Sequence, residues 1–111
     1  MDRLEFLVQG SAPQPYTVLF HKRAAGNLTA YCSCAAGENG MFCKHRVQIL
    51  RGLVDGIVSN NHVDVTTVTG WLAGTDVETA LQAVVELELE AERIKKALSA
   101  AKKVLSRALH D

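Results

Sequence analysis

The sequence predicts an α+β fold, in which a small three-stranded β-sheet with one short helix is followed by a long C-terminal amphipathic α-helix. Three observations carry this reading. Short runs of aromatic and β-branched residues, apolar at every second position, fill the first third of the 111-residue chain. After Cys43, apolar residues recur at helical spacing. From Asp76 to His110 the chain contains neither proline nor glycine.

The strands come first. Leu4 to Val8 is a short apolar run closed by Gly10-Ser11 and by Pro13 and Pro15. Tyr16 to Phe20 places Tyr16, Val18 and Phe20 on one face, and the simplest role for these rings is core rather than ligand stacking. His21 to Asn27, with Gly26-Asn27, reads as a turn, and Leu28 to Cys32 as the returning strand. Ala35 to Phe42 reads as a glycine-bearing loop. Val47, Ile49, Leu50, Leu53, Val54 and Ile57 then predict a helix from near Cys43 that fades by about Gly56. Asn60-Asn61 breaks the pattern. Residues 62–74 fit no single template, although Trp71-Leu72 should pack into the core and Gly74 should end the segment. Thr75 and Glu78 match the capping-box pattern at the start of the long helix, which at 1.5 Å per residue would extend about 52 Å. The expected organisation is residues 1–58, a connecting segment 59–75, and the helix 76–111.

Composition bounds the function. Apolar residues make up 48% and charged residues 22%, which is ordinary for a globular chain. Met1 to Glu5 begins no secretory signal, and no run approaches the roughly 20 apolar residues of a membrane span, so a soluble cytoplasmic protein without membrane contact is expected. Clustered thiols in such a reducing compartment more often bind metal than form disulfides. Formal net charge is zero, but residues 1–54 hold six basic side chains against three acidic ones. That permits weak nucleic-acid binding without the strong basic footprint of a dedicated binder.

The chemistry concentrates in one place. Cys32-Ser33-Cys34 is followed by eight residues and then Cys43-Lys44-His45, so all three cysteines and one of four histidines fall within fourteen positions. Three thiolates and an imidazole are a standard closed tetrahedral set for structural Zn2+. Cysteines at i and i+2 on a strand point the same way, so a strand ending in a tight knuckle can aim both at one ion. Cys43 and His45 cannot both face a metal from mid-helix, but they can converge if Cys43 lies on the segment entering the helix. Gly37 and Gly40 give the intervening loop the freedom to close. Buried structural cysteines beside an unrelated histidine, a catalytic Cys-His pair, and a redox-active Cys32/Cys34 pair are the alternatives. Against the first, Ser33, Glu38, Asn39 and Lys44 make the neighbourhood polar. His21, His62 and His110 read as surface residues.

The pattern CxC, eight residues, CxH, with Tyr16–Phe20 and Leu28–Cys34 upstream and a helix from His45, resembles the SWIM zinc finger over roughly residues 4–57. The resemblance implies a small strand–strand–helix zinc fold with Cys32, Cys34, Cys43 and His45 as ligands. It also implies binding of DNA or protein, since such fingers occur in helicase-like ATPases, mutator-class transposases and recombination accessory proteins. None of those catalytic domains fits within this chain, and the resemblance does not account for residues 58–111.

In the long helix, taking Val77 as heptad position a gives Val77, Val84, Ala91, Leu98 and Leu105 at a, and Ala80, Leu87, Ile94, Ala101 and Ala108 at d. All ten are apolar, which is a helix-packing seam. Leu81, Val85 and Leu89 add a second stripe in the N-terminal half. A finger of about 60 residues is too short to cover such a helix, so a protein partner or a homodimer is expected, with Leu87, Ile94, Leu98 and Leu105 at its centre. Residues 76–92 carry six acids and no base, and residues 93–110 six bases and no acid. This order suits the helix dipole, and it suits antiparallel pairing.

The functional expectation is therefore a non-enzymatic zinc-binding interaction or adaptor protein. The alternative is a DNA- or RNA-binding finger using Lys22, Arg23, Lys44, Arg46 and Arg51, with a thiol redox protein as a third reading.

Overall fold

The computed structural model describes residues 2–110. It is α+β, with a three-stranded antiparallel sheet, short helices and one long C-terminal helix. Strands β1 (Arg3–Val8), β2 (Tyr16–Lys22) and β3 (Leu28–Cys32) lie in sequence order. In register, Leu4 faces Phe20, Phe6 faces Val18, and Val18 faces Cys32 on its other side. Strict alternation along β1 puts Leu4, Phe6 and Val8 on the buried face and Arg3, Glu5 and Leu7 outside. Phe6 and Phe20 meet edge to face with ring centroids 6.1 Å apart.

Helix α2 (Lys44–Leu50) packs on β3 and buries Ile49 and Leu50, and α3 (Val65–Leu72) packs on α2 and buries Val65, Val68 and Leu72. The predicted helix after Cys43 is shorter than its periodicity suggests. It stops at Leu50 because Gly52 adopts φ +83° and donates to the Ile49 carbonyl, a left-handed closure that a side chain would oppose. Leu53 and Val54 then stand exposed outside the helix. Residues 59–75, unassigned by pattern, include a 3₁₀ turn (His62–Asp64) and α3, with Trp71 half-buried and Leu72 buried.

The outer edge of β1 is protected by the chain itself. Gln9 N–H donates to the Gly56 carbonyl, Val58 N–H to the Leu7 carbonyl, and Leu7 N–H to Ser59 Oγ, while Asn61 Nδ2 donates to the Glu5 carbonyl. A strand edge satisfied this way offers no template for association.

Two compact units result, Met1–Thr79 and Ala80–Asp111. Helix α4 (Asp76–His110) opens with the predicted capping box in slightly shifted form. Thr75 Oγ1 accepts from Glu78 N–H at 3.2 Å, and the Glu78 carboxylate accepts from Gly74 N–H at 3.0 Å, because Thr75 N–H is already taken by the Leu72 carbonyl. No residue of α4 is buried, and no helix among the described residues is long and apolar enough to cross a membrane.

Candidate metal centre

Each of the four donor residues sits at the end of a regular element. Cys32 is the last residue of β3 and Cys34, two positions on, caps a short helix, α1 (Ala35–Glu38). The segment predicted as loop is therefore helical in its first turn. Cys34 Sγ accepts from Gly37 N–H at 3.3 Å, satisfying an amide that would otherwise lack a partner. Gly37 is packed so closely over the end of β3 that a Cβ there would lie 2.8 Å from Cys32 Cβ and still nearer the Cys32 carbonyl oxygen. Cys43 is extended (φ −127°, ψ 116°) immediately before α2, and His45 is the second residue of that helix. This change of backbone is what lets positions i and i+2 converge, as the spacing required.

All four side chains are buried, and their donor atoms lie within 4.8 Å of one another. Cys34 Sγ and Cys43 Sγ are 3.4 Å apart, and His45 Nδ1 is 3.7 Å from both Cys32 Sγ and Cys43 Sγ. An ion bound at about 2.3 Å to sulfur and 2.0 Å to nitrogen sets tetrahedral edges of roughly 3.5–3.8 Å. The three separations above, at 3.4 and 3.7 Å, lie close to these edges, and the three cysteines are free thiols. The group can hold a metal ion.

Electrostatics points the same way. Burial pushes the Cys32 thiol up to about 12, assisted by the Cys34 and Cys43 side chains and by the charge on Cys43. Burial also opposes ionisation of Cys43. There it is overridden by hydrogen bonds from the Arg46 backbone, the Cys34 and Cys32 side chains and the His45 backbone, so this thiol lies below its ordinary value. Burial, then the Lys44 charge, keeps His45 below the usual imidazole range and hence neutral. Unaided, the pocket favours a thiolate at Cys43 and resists one at Cys32. A bound divalent cation supplies the charge that three buried thiolates need.

The surroundings hold residues that pattern reading did not single out for this site. Tyr16 lays its ring against His45 with centroids 4.9 Å apart. Gly10 leaves room for both rings, since a Cβ there would come within 2.6 Å of Tyr16 and 3.1 Å of His45 Nε2. That Nε2 atom is buried and has no hydrogen-bond partner among the described residues, so the tautomer must be read from Nδ1, which faces the sulfurs. Arg46 donates to the Ala30 carbonyl at 3.1 Å and to the Met41 carbonyl at 2.7 Å, tying β3 to the segment that delivers Cys43. No spacing rule marks such a bridge; its only sequence signal is adjacency to the CxH motif.

Of the other predicted residues, Lys22, Arg23, Lys44 and Arg51 are exposed, whereas Arg46 is half-buried and engaged as above. His21 is 4.0 Å from the Asp2 carboxylate, His62 and His110 are exposed, and all three lie outside the cluster. Leu87, Ile94, Leu98 and Leu105 are 65, 62, 53 and 60% exposed. Met41 and Phe42, beside Cys43, are each 63% exposed. Compared with known proteins, the chain matches no family model, no curated protein and no solved structure.

Proposed function

We propose that this chain is a non-enzymatic interaction module whose first unit is built around one structural zinc ion and whose C-terminal helix offers a surface to a protein partner. The observation that carries the reading is the convergence of three buried thiols and one buried imidazole from two chain segments into one cluster, with donor atoms within 4.8 Å of one another. Zinc is the natural ion for a three-sulfur, one-nitrogen set, having no geometric preference of its own to resist that arrangement. Four protein ligands leave no coordination position for water, which argues for a structural metal rather than a catalytic one. The CxC and CxH motifs, placed at a strand end and a helix start, support a SWIM-type finger. The exposed Met41 and Phe42 beside the site favour a protein surface as ligand.

Nucleic-acid binding is the weaker reading, because Arg46 is engaged with carbonyls and Lys22, Arg23 and Lys44 form a small basic set. The test combines metal content with mutation. One zinc per chain is expected, and Cys43→Ala or His45→Ala should abolish both loading and folding of the first unit. Binding to DNA that falls steeply with salt and weakens on Arg23→Ala would move the reading to nucleic acid.

A further inference from the structure

We infer that the partner of the C-terminal helix is a second copy of this chain, paired antiparallel so that Ala91 of each copy lies opposite Ile94 of the other. This rests on the reading of α4 as a partner-binding segment and names the partner and the register.

Two features of α4 share one midpoint. Turning the helix end over end about the junction of Glu92 and Arg93 lays the a series onto the d series without a break. Ala91 then faces Ile94, Leu87 faces Leu98, Val84 faces Ala101, and Ala80 faces Leu105. In three of these four layers a small side chain meets a larger one, so layer volume varies little and the helix axes can approach closely. The same junction is where charge changes sign, from six acids in residues 76–92 to six bases in residues 93–110. Pairing about that point sets the acidic half of each helix against the basic half of the other, whereas parallel pairing in register sets like on like. Beside the seam, at position e, Glu88 of one copy falls next to Lys95 of the other, and two-fold symmetry makes this contact twice.

Exposure supplies the need for a partner. Leu87, Ile94, Leu98 and Leu105 are more than half exposed in the single chain, as one stripe on a helix with no buried residue. A helix usually derives most of its stability from packing such a stripe.

Light scattering on the full, zinc-loaded chain is expected to give twice the 12.0 kDa chain mass. Ile94→Asp should give a monomer that still carries zinc. Lys95→Glu should weaken association roughly tenfold by opposing Glu88 on both sides of the axis. The exchange Glu88→Lys with Lys95→Glu should restore association, because the cross-pair is re-formed with its signs reversed. In a parallel pair position 95 would instead lie beside Glu90, a repulsion that Glu88→Lys does not relieve, so the double variant would stay weak. A folded, zinc-loaded monomer at high concentration overturns the pairing and leaves the metal reading standing. A double variant no tighter than the single overturns the antiparallel register. A dimer lacking zinc overturns the metal reading and leaves the pairing standing.

Discussion

The two units solve opposite problems. The first, Met1–Thr79, buries a small apolar core together with four donor atoms, while the second, Ala80–Asp111, has no fully buried side chain among its described residues. In the first, the chain closes around a charge problem that burial creates and that a bound cation would resolve. In the second, local devices act first: the Thr75 cap, acids near the N-terminus, bases near the C-terminus and an interior without glycine or proline. On the proposed reading, order in the first unit depends on a bound metal, whereas the second unit carries local helix signals and an exposed apolar stripe that a partner would cover.

The sharpest way to break the comparison is to remove a ligand. Cys43→Ala or His45→Ala should lose the ion and with it the sheet, because structural zinc supplies on the order of 10 kcal/mol of folding free energy in small fingers. Circular dichroism should then show helix retained and sheet lost. Loss of both signals together would mean that the two units are not independent.

A titration follows in size. In the metal-free chain, Cys32 ionises at its ordinary 9.0 when unfolded but only at about 12 when folded. The folded state therefore binds more protons across that interval. Stability from this group is complete below pH 9 and is lost as pH rises toward 12. His45 runs the other way, since its folded value lies below the ordinary 6.5. Its contribution is present above pH 6.5 and is lost as pH falls below it. Metal should reverse the alkaline limb, because loading requires thiolates and releases their protons. Loaded samples melted across pH 5–10 are therefore expected to hold their transition above pH 9, and a loss of stability there would contradict a thiolate-bound ion.

Arg46→Ala should cost about 2 kcal/mol by freeing two carbonyls of their charged donor, and Arg46→Lys should recover only part, since an ammonium lacks the fork that reaches both. Chemical denaturation of the loaded chain measures this. An unchanged midpoint would make Arg46 a surface residue after all. The smallest effect is expected at the cap, where Thr75→Ala should cost about 1 kcal/mol and reduce helix content without changing metal loading.

Much of this was legible in the sequence because the signals are local. A short apolar run located β1, alternation located β2, the turn at Gly26-Asn27 placed β3, absence of breakers located α4, and the capping pair Thr75/Glu78 marked its start. The donor set was legible because ligand chemistry needs particular residue types at close spacing. What pattern reading missed depends on tertiary contact or on a single backbone angle. Gly52 ends α2 by a positive φ that periodicity through Leu53 and Val54 does not register. Helix α3 is short and threonine-rich, with Thr66, Thr67 and Thr69 giving weak helix preference that packing against α2 overrides. Tyr16, Gly10 and Arg46 reach the metal centre only through the fold.

The central claim is that the first unit is organised by one zinc ion on Cys32, Cys34, Cys43 and His45. Native mass spectrometry of the purified chain, paired with thermal melting before and after chelation, tests it most directly. The expected result is the 12.0 kDa chain carrying one zinc, whose removal abolishes the melting transition of the sheet while the helix signal persists. A metal-free chain that melts as sharply, and at the same temperature, as the untreated one would contradict it.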